Sequence, residues 1–172
     1  ATKPILQMAQ AMAKALKADK KVVIFGNGGS AGDAQHIAGE LIGRFVKERR
    51  ALPAIALTTD SSIMTAVAND YSYEEVFSRQ VEGLVRKGDV AIGISTSGRS
   101  PNVIRAILAA KKMGAVTIGL TGQDGEKLAR VADLTVKVPS RNTQRIQESH
   151  ITIAHLVCGI VEAILFPVRR SK

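Results

Sequence analysis

Five short apolar segments alternate with helical segments along this chain, and that alternation limits the possible folds more than any other feature. The strand candidates are aliphatic, often β-branched and closed by Gly, Thr, Ser or Pro; they are residues 22–25, 54–57, 90–94, 116–120 and 134–138. Continuously apolar strands, unlike alternating ones, are typical of sheets covered on both faces. The pattern therefore predicts an α/β fold of three layers, a doubly wound parallel sheet with helices on both sides.

Apolar residues at helical spacing fill the intervals between these strands. They predict an N-terminal helix over roughly the first eighteen residues, a helix over 61–86 in pieces, and further helices over 31–46, 101–113, 125–132 and 143–165. No linker or low-complexity tract interrupts the series, and 172 residues suffice for one buried core. We expect a single domain over 1–172, with an N-terminal helix in 1–20 and an α/β core with its closing helix in 21–165.

Composition excludes several classes of protein. The 24 Lys+Arg against 15 Asp+Glu give a net charge of +9, but only 3% of residues are aromatic, so a base-stacking platform is lacking. We expect no nucleic-acid partner and interpret the charge as attracting anionic substrates. The single cysteine, Cys158, precludes an internal disulfide. No apolar run has the length of a membrane span and no signal peptide is recognisable, so we expect a cytoplasmic protein without membrane contact.

Four hydroxyl side chains crowd the loop after the third strand: Ser95, Thr96, Ser97 and Ser100. Gly98 lets the backbone turn tightly, and Pro101 suits the first turn of the following helix. Backbone N–H groups and the helix dipole favour an anion at that position, and the hydroxyls add further donors. Helix capping alone would need only one hydroxyl. The loop therefore favours a phosphate site.

The loop after the first strand, residues 26–30, has the sequence GNGGS. Its glycines permit close approach to a ligand, and the amide of Asn27 is both donor and acceptor. The spacing is not that of a dinucleotide-binding fingerprint, and no acidic residue closes the second strand to hold a ribose. The loop therefore argues against a nicotinamide cofactor.

Polar residues on two helices form a further candidate cluster. His36 and Glu40 are four residues apart on one helix face, and Gln147 and His155 lie on nearly the same side of the closing helix. If the two helices converge, these side chains suit a divalent metal or an acid–base pair. Spacing alone leaves that convergence open. Cys158 belongs to an apolar stripe and is expected to pack in the core.

Taken in order, these motifs resemble those of the sugar isomerase (SIS) domain family, and within it the phosphoheptose isomerases. The resemblance runs from about residue 21 to residue 162. It rests on residues 26–30, Asp33, 35–36, Glu40, 53–56, 69–70, 93–98, Ser100, 120–122, 124–125, 145–148, His150 and His155. It implies a flavodoxin-like sheet of five parallel strands and a homotetramer with active sites at subunit contacts.

The resemblance also implies an activity and its residues. Sedoheptulose 7-phosphate would be converted through an enediol into D-glycero-D-manno-heptose 7-phosphate, the first step towards the ADP-heptose of lipopolysaccharide. Glu40 and His155 would exchange the protons, and zinc, one ion per subunit, would be held by His36, Glu40, Gln147 and His155. The phosphate ligands would be Ser95, Thr96, Ser97 and Ser100, and the sugar contacts Asn27, Gly28, Gly29, Ser30, Glu40, Asn69, Asp70 and Gln147.

Some alternatives stay open at this stage. A carboxylate fully engaged by zinc is no longer a free base, so the two roles of Glu40 compete; we favour Glu40 as base and His155 as acid, with zinc structural or activating. A non-enzymatic SIS protein that binds the bacterial replication initiator would keep the phosphate loop but lack both residues. An isomerase of another sugar phosphate would also keep the loop. Gln144 stands where some relatives carry an acidic residue, which leaves a proton-relay role at this position open. Relatives also carry more helix before the position of Ala1, which leaves the tetramer contacts open.

Overall fold

The computed structural model describes residues 2–167 and is built around a five-stranded, wholly parallel sheet. The strands are β1 (Val22–Gly26), β2 (Ala54–Ala56), β3 (Val90–Ser95), β4 (Val116–Thr121) and β5 (Leu134–Lys137), in the spatial order β2-β1-β3-β4-β5. The α/β prediction is confirmed. Strand order reverses between β1 and β3, which are hydrogen-bonded neighbours, and ligands of such sheets bind beyond the carboxyl ends at this reversal.

Helices cover both faces of the sheet. They are α1 (Thr2–Lys17), α2 (Gly29–Ile42), α3 (Ser61–Asp70), α4 (Ser78–Leu84), α5 (Pro101–Lys112), α6 (Glu126–Val131) and α7 (Thr143–Leu165), with a 3-10 turn over Tyr73–Glu75. Along β1, Val22 and Ile24 join the core beneath α1, α2 and α7, whereas Val23 and Phe25 join the core beneath α4 and α5. Because both faces are covered, every residue of this strand is buried.

The second helix ends earlier than its sequence predicts. The apolar pattern continues to Val46, but α2 ends at Ile42 and the chain turns at Gly43. The backbone N–H groups of residues 45–47 donate to the Glu162 carboxylate instead of to α2. A long-range acceptor therefore replaces the last helical turn.

The closing helix α7 has the length and the apolar composition of a membrane-spanning helix, contrary to the expectation that no run of the chain is long enough. In this fold it packs against α1, α2 and the sheet. Its apolar residues therefore complete the core. Cys158 is among them, as predicted, and burial raises the pKa of its thiol to about 12.

Candidate active site

The glycine loop and the hydroxyl loop lie side by side at the carboxyl edge of the sheet. Gly26 at the end of β1 pairs with Ile94 near the end of β3, so the segments that follow are neighbours. A Cβ at Gly26 would lie 2.8 Å from the Ile94 carbonyl oxygen, which only glycine avoids. Gly28 has φ +56°, a conformation that favours glycine. The backbone can thus approach a ligand closely at the start of α2.

A reciprocal pair of side-chain amides joins the two loops. Asn27 Nδ2 donates to Asn102 Oδ1, and Asn102 Nδ2 donates back to Asn27 Oδ1, both at 2.9 Å. The Tyr73 hydroxyl donates to the same Asn27 oxygen at 3.2 Å. Neither partner was predicted as a site residue. Asn102 was readable as a polar residue in the first turn of α5, whereas nothing near Tyr73 in the sequence pointed to this contact.

The hydroxyl groups of the hydroxyl loop do not cap helix α5. Ser100 is the N-cap of α5 but makes no side-chain cap bond to that helix; its Oγ lies 3.0 Å from Ser95 Oγ. Ser97 Oγ accepts from the Arg99 N–H at 3.2 Å. The loop turns at Gly98, whose φ is +62°. The capping alternative therefore loses its main support, and the convergent hydroxyls suit an anionic group at the start of α5.

A cleft opens beside this loop and brings two guanidinium groups towards it. It is lined by Thr96, Ser97, Arg99, Gln123, Asp124, Ser140, Arg141, Thr143 and Ile146. Arg141 pairs with Asp124 at 3.2 Å. Arginine and hydroxyl donors together favour a phosphorylated ligand over a neutral one.

Two predicted catalytic residues and a histidine meet between α2 and α7. His36 Nε2 lies 3.1 Å from Glu40 Oε1 and 3.0 Å from His155 Nε2. The ring of Phe45 packs against His155, with centroids 5.6 Å apart. The three polar side chains are only partly exposed or, for His36, open to solvent, so a substrate can reach them. The convergence that spacing left open is present.

The same three residues fit a transition-metal ion. Their ligand atoms all lie within 4.8 Å of one another. Tetrahedral zinc with Zn–N distances of about 2.0–2.1 Å places its nitrogen ligands about 3.3 Å apart. The observed separations of 3.0 and 3.1 Å between the donor atoms are close to this spacing. Two imidazoles and a carboxylate are also donors that zinc accepts.

Other predicted residues stand apart from this cluster. Gln147 lies over the start of α2: a Cβ at Gly29 would be 2.9 Å from Gln147 Cδ. The Gln147 amide therefore lies against Gly29, which precedes His36 by seven residues along α2. At the end of α3, Asn69 donates to Asp70 at 2.9 Å, and both are exposed. Within residues 2–167, Gln147, Asn69 and Asp70 make no hydrogen bond to His36 or His155; these two contact each other, and His36 contacts Glu40.

Asp33 is a further carboxylate near the cluster, one helical turn before His36. Within residues 2–167 its Oδ2 is buried without a hydrogen-bond partner. Burial raises the pKa of this carboxyl, and the neighbouring His36 partly opposes the rise. Sequence reasoning included Asp33 only in a motif and gave it no role. The structure therefore adds Asp33 as a buried acid beside the cluster.

Comparison with known proteins agrees with this geometry. Residues 1–122 match the family model of the SIS domain. A phosphoheptose isomerase from Aquifex aeolicus is 60% identical over 161 residues, which are 94% of this chain and 84% of that protein. The chain belongs to the phosphoheptose isomerases of the SIS-domain family. A second relative with this name, from Geotalea daltonii, is 54% identical over 96% of this chain and 86% of its own.

The fold of a solved phosphoheptose isomerase is also shared. The structure from Neisseria gonorrhoeae has a TM-score of 0.89 at 46% identity, and the match covers 94% of this chain and 86% of that one. The five-stranded parallel sheet of this chain is therefore part of the fold that it shares with a solved phosphoheptose isomerase.

Proposed function

We propose that this protein is an aldose–ketose isomerase that converts sedoheptulose 7-phosphate into D-glycero-D-manno-heptose 7-phosphate, the first step towards ADP-heptose. The observation that carries the proposal is the convergence of Glu40 and His155 on His36 between α2 and α7, in a phosphoheptose isomerase fold. A protein that only binds the replication initiator is not favoured, because the relatives of this chain are named as isomerases.

The reaction moves one proton between carbons and one between oxygens, with no net change in protons. Glu40 removes a proton from C1 of the ketose, and the electron pair forms the C1–C2 double bond of an enediol. His155 protonates the C2 oxygen as that bond forms. His155, now deprotonated, takes the proton from the C1 oxygen as the C1 carbonyl forms, and the electron pair of the C1–C2 double bond takes the proton back from Glu40 at C2. A carboxylate and an imidazole suffice for these steps.

The phosphate anchors the substrate at the start of α5 in this proposal. Ser95, Thr96, Ser97 and Ser100 donate hydrogen bonds to it, and the dipole of α5 favours its charge. The sugar then runs towards the cluster between α2 and α7. Its proposed contacts are Asn27, Gly28, Gly29, Ser30, Asn69, Asp70 and Gln147.

Zinc is proposed as a bound ion held by His36, Glu40, Gln147 and His155. The donor spacing supports the first, second and fourth of these ligands. When bound, the ion would polarise the two substrate oxygens that exchange carbonyl character. The two roles of Glu40 compete, and we favour Glu40 as the base, with zinc structural or activating.

A homotetramer is proposed with its active sites at subunit contacts. An apolar surface borders His155 and comprises Phe45, Leu156, Gly159, Ile160 and Ala163. Leu156 is 53% exposed, and contiguous exposed apolar patches of this kind mark interaction sites. The proposal also keeps the single domain over residues 1–172 and a cytoplasmic location.

The test is turnover of sedoheptulose 7-phosphate by the purified protein, with detection of the aldoheptose phosphate. Glu40→Gln removes the base and keeps the shape of the side chain, and His155→Asn removes the acid, so each should cut kcat by about 10²–10⁴-fold. Glu48→Gln makes the same chemical change at an exposed carboxylate and should leave turnover unchanged. An unmodified protein that leaves the substrate untouched, with and without zinc, would overturn the proposal in favour of a binding role.

A further inference from the structure

The buried carboxylate of Glu162 on α7 accepts hydrogen bonds from the segment that follows α2. Glu162 accepts hydrogen bonds from three successive backbone N–H groups, those of residues 45–47, at 2.9–3.0 Å and from Arg49 Nε at 3.0 Å. The side chains of Glu162 and Arg49 are 2% and 1% exposed. Burial raises the pKa of Glu162, but the backbone and Arg49 donors outweigh it, so the net shift is downward. The buried carboxylate is therefore compensated by four donors.

Arg49 uses its remaining donors to hold the end of α2. Its Nη2 donates to the Glu40 carbonyl at 2.7 Å, and its Nη1 donates to the carbonyls of Leu41 and Gly43 at 2.8 and 3.0 Å. Carbonyl groups in the last turn of a helix lack intrahelical partners and favour a positive charge. Arg49 therefore caps the turn that carries Glu40.

The Glu162 carboxylate is also linked to His155, the second catalytic residue, through Phe45. Phe45, whose N–H donates to Glu162, lays its ring against the His155 ring at an interplanar angle of 32°. Gly159 lies beside the same ring, because a Cβ there would be in ordinary van der Waals contact with Phe45 Cε1, at 3.5 Å. His155 and Glu162 are seven residues apart and share one face of α7. One ion pair thus contacts the supports of both Glu40 and His155.

We propose that Glu162 and Arg49 are positioning residues that hold Glu40 and His155 at the separation needed for proton transfer. Buried ion pairs are weak contributors to net stability compared with apolar residues of the same volume, whereas this pair links the two helices that meet in the active site. The inference rests on the proposed isomerase function. It assigns a role in the reaction to two residues that contact neither the substrate nor the reacting atoms.

Glu162→Gln tests the carboxylate. The amide keeps the shape but turns an N–H₂ group towards the donors, so the segment after α2 should shift. A displacement of about 1 Å in a catalytic constellation can cost up to about a hundredfold, so kcat should fall by about 10- to 100-fold. KM should stay within about twofold, because the hydroxyl loop that binds substrate is untouched. Arg49→Lys keeps the charge without the fork and should lower kcat in the same way.

Asp89→Asn is the matched control. Asp89 is also a buried carboxylate, 1% exposed, and it accepts from the backbone N–H groups of Lys21 and Arg86 and from Lys21 Nζ. It precedes β3 at the amino edge of the sheet, opposite the active site. This variant should lose stability comparably in urea unfolding and keep the parent kcat.

The double variant Glu40→Gln with Glu162→Gln separates positioning from general stability. If Glu162 acts through the acid–base pair, its loss should add little once Glu40 is gone. A full multiplicative loss, or a kcat of Glu162→Gln no lower than that of Asp89→Asn, would overturn the inference while leaving the isomerase function intact. Absence of turnover in the parent would instead overturn the function.

Phe45→Leu keeps the inference testable should an ion-pair variant fail to fold. Phe45 is only half-buried, so its truncation is tolerated better than a change at Glu162. Loss of the ring contact should lower kcat without raising KM. A variant with parental kcat would show that the His155 side of the arrangement plays no part, and the proposal would then fail for His155.

Discussion

Gly98→Ala should destabilise the hydroxyl loop far more than glycine strain alone explains. Gly98 has φ +62°, so a Cβ costs about 1–2 kcal/mol from conformation. The new methyl group would also overlap the Gly125 backbone and lie 2.8 Å from Thr121 Oγ1. Backbone cannot rotate away as a flexible side chain can, so about 1–3 kcal/mol of overpacking is added. The expected loss is about 2–5 kcal/mol in the free energy of unfolding.

Gly114→Ala provides the comparison at the opposite edge of the sheet. Gly114 has φ +79°, and its nearest neighbour would be Lys87 Cγ at 3.1 Å, part of a flexible side chain. Only the conformational cost of about 1–2 kcal/mol is expected. Urea unfolding of both variants measures the difference. Assays of the two proteins should show a raised KM for the sugar phosphate in Gly98→Ala alone, since that loop is displaced.

Two outcomes would refute this reasoning separately. Equal losses of stability in Gly98→Ala and Gly114→Ala would show that the Gly125 backbone yields and that the loop is not held by it. A stability difference without any change in KM would show that the loop is rigid but does not bind the phosphate. The second outcome would move the phosphate site elsewhere along the edge of the sheet.

Two further predictions concern the metal and pH. The purified protein should carry zinc or take it up stoichiometrically, and His36→Ala should lose it in metal analysis; full activity in a strong chelator with no metal found would exclude the ion from the mechanism. Burial raises the pKa of Asp89, but hydrogen bonds from Lys21 and Arg86 outweigh burial and hold this pKa below its ordinary 3.8. The stabilisation that Asp89 contributes is therefore present above pH 3.8 and is lost as the pH falls through the folded-state pKa. The difference in unfolding free energy between the parent and Asp89→Asn should therefore be about 1.5–3 kcal/mol at neutral pH and shrink in acid; a constant difference would contradict this.

Local patterns in the chain predicted most of the fold. Strand β1 was recognisable because both of its faces are buried, which leaves no polar position in Val22–Phe25. The hydroxyl loop was recognisable because its side chains exceed what a cap requires. Both are properties of neighbouring residues, and short-range periodicity records them directly.

The meeting of distant residues was decided by tertiary structure alone. His36 and His155 are 119 positions apart, and their contact depends on how α2 and α7 pack against the same face of the sheet. The end of α2 was misplaced for the same reason, because Glu162, far along the chain, competes for the N–H groups of residues 45–47. Apolar periodicity records which face of a helix is buried, but not which helix covers it, since many partners offer the same apolar surface.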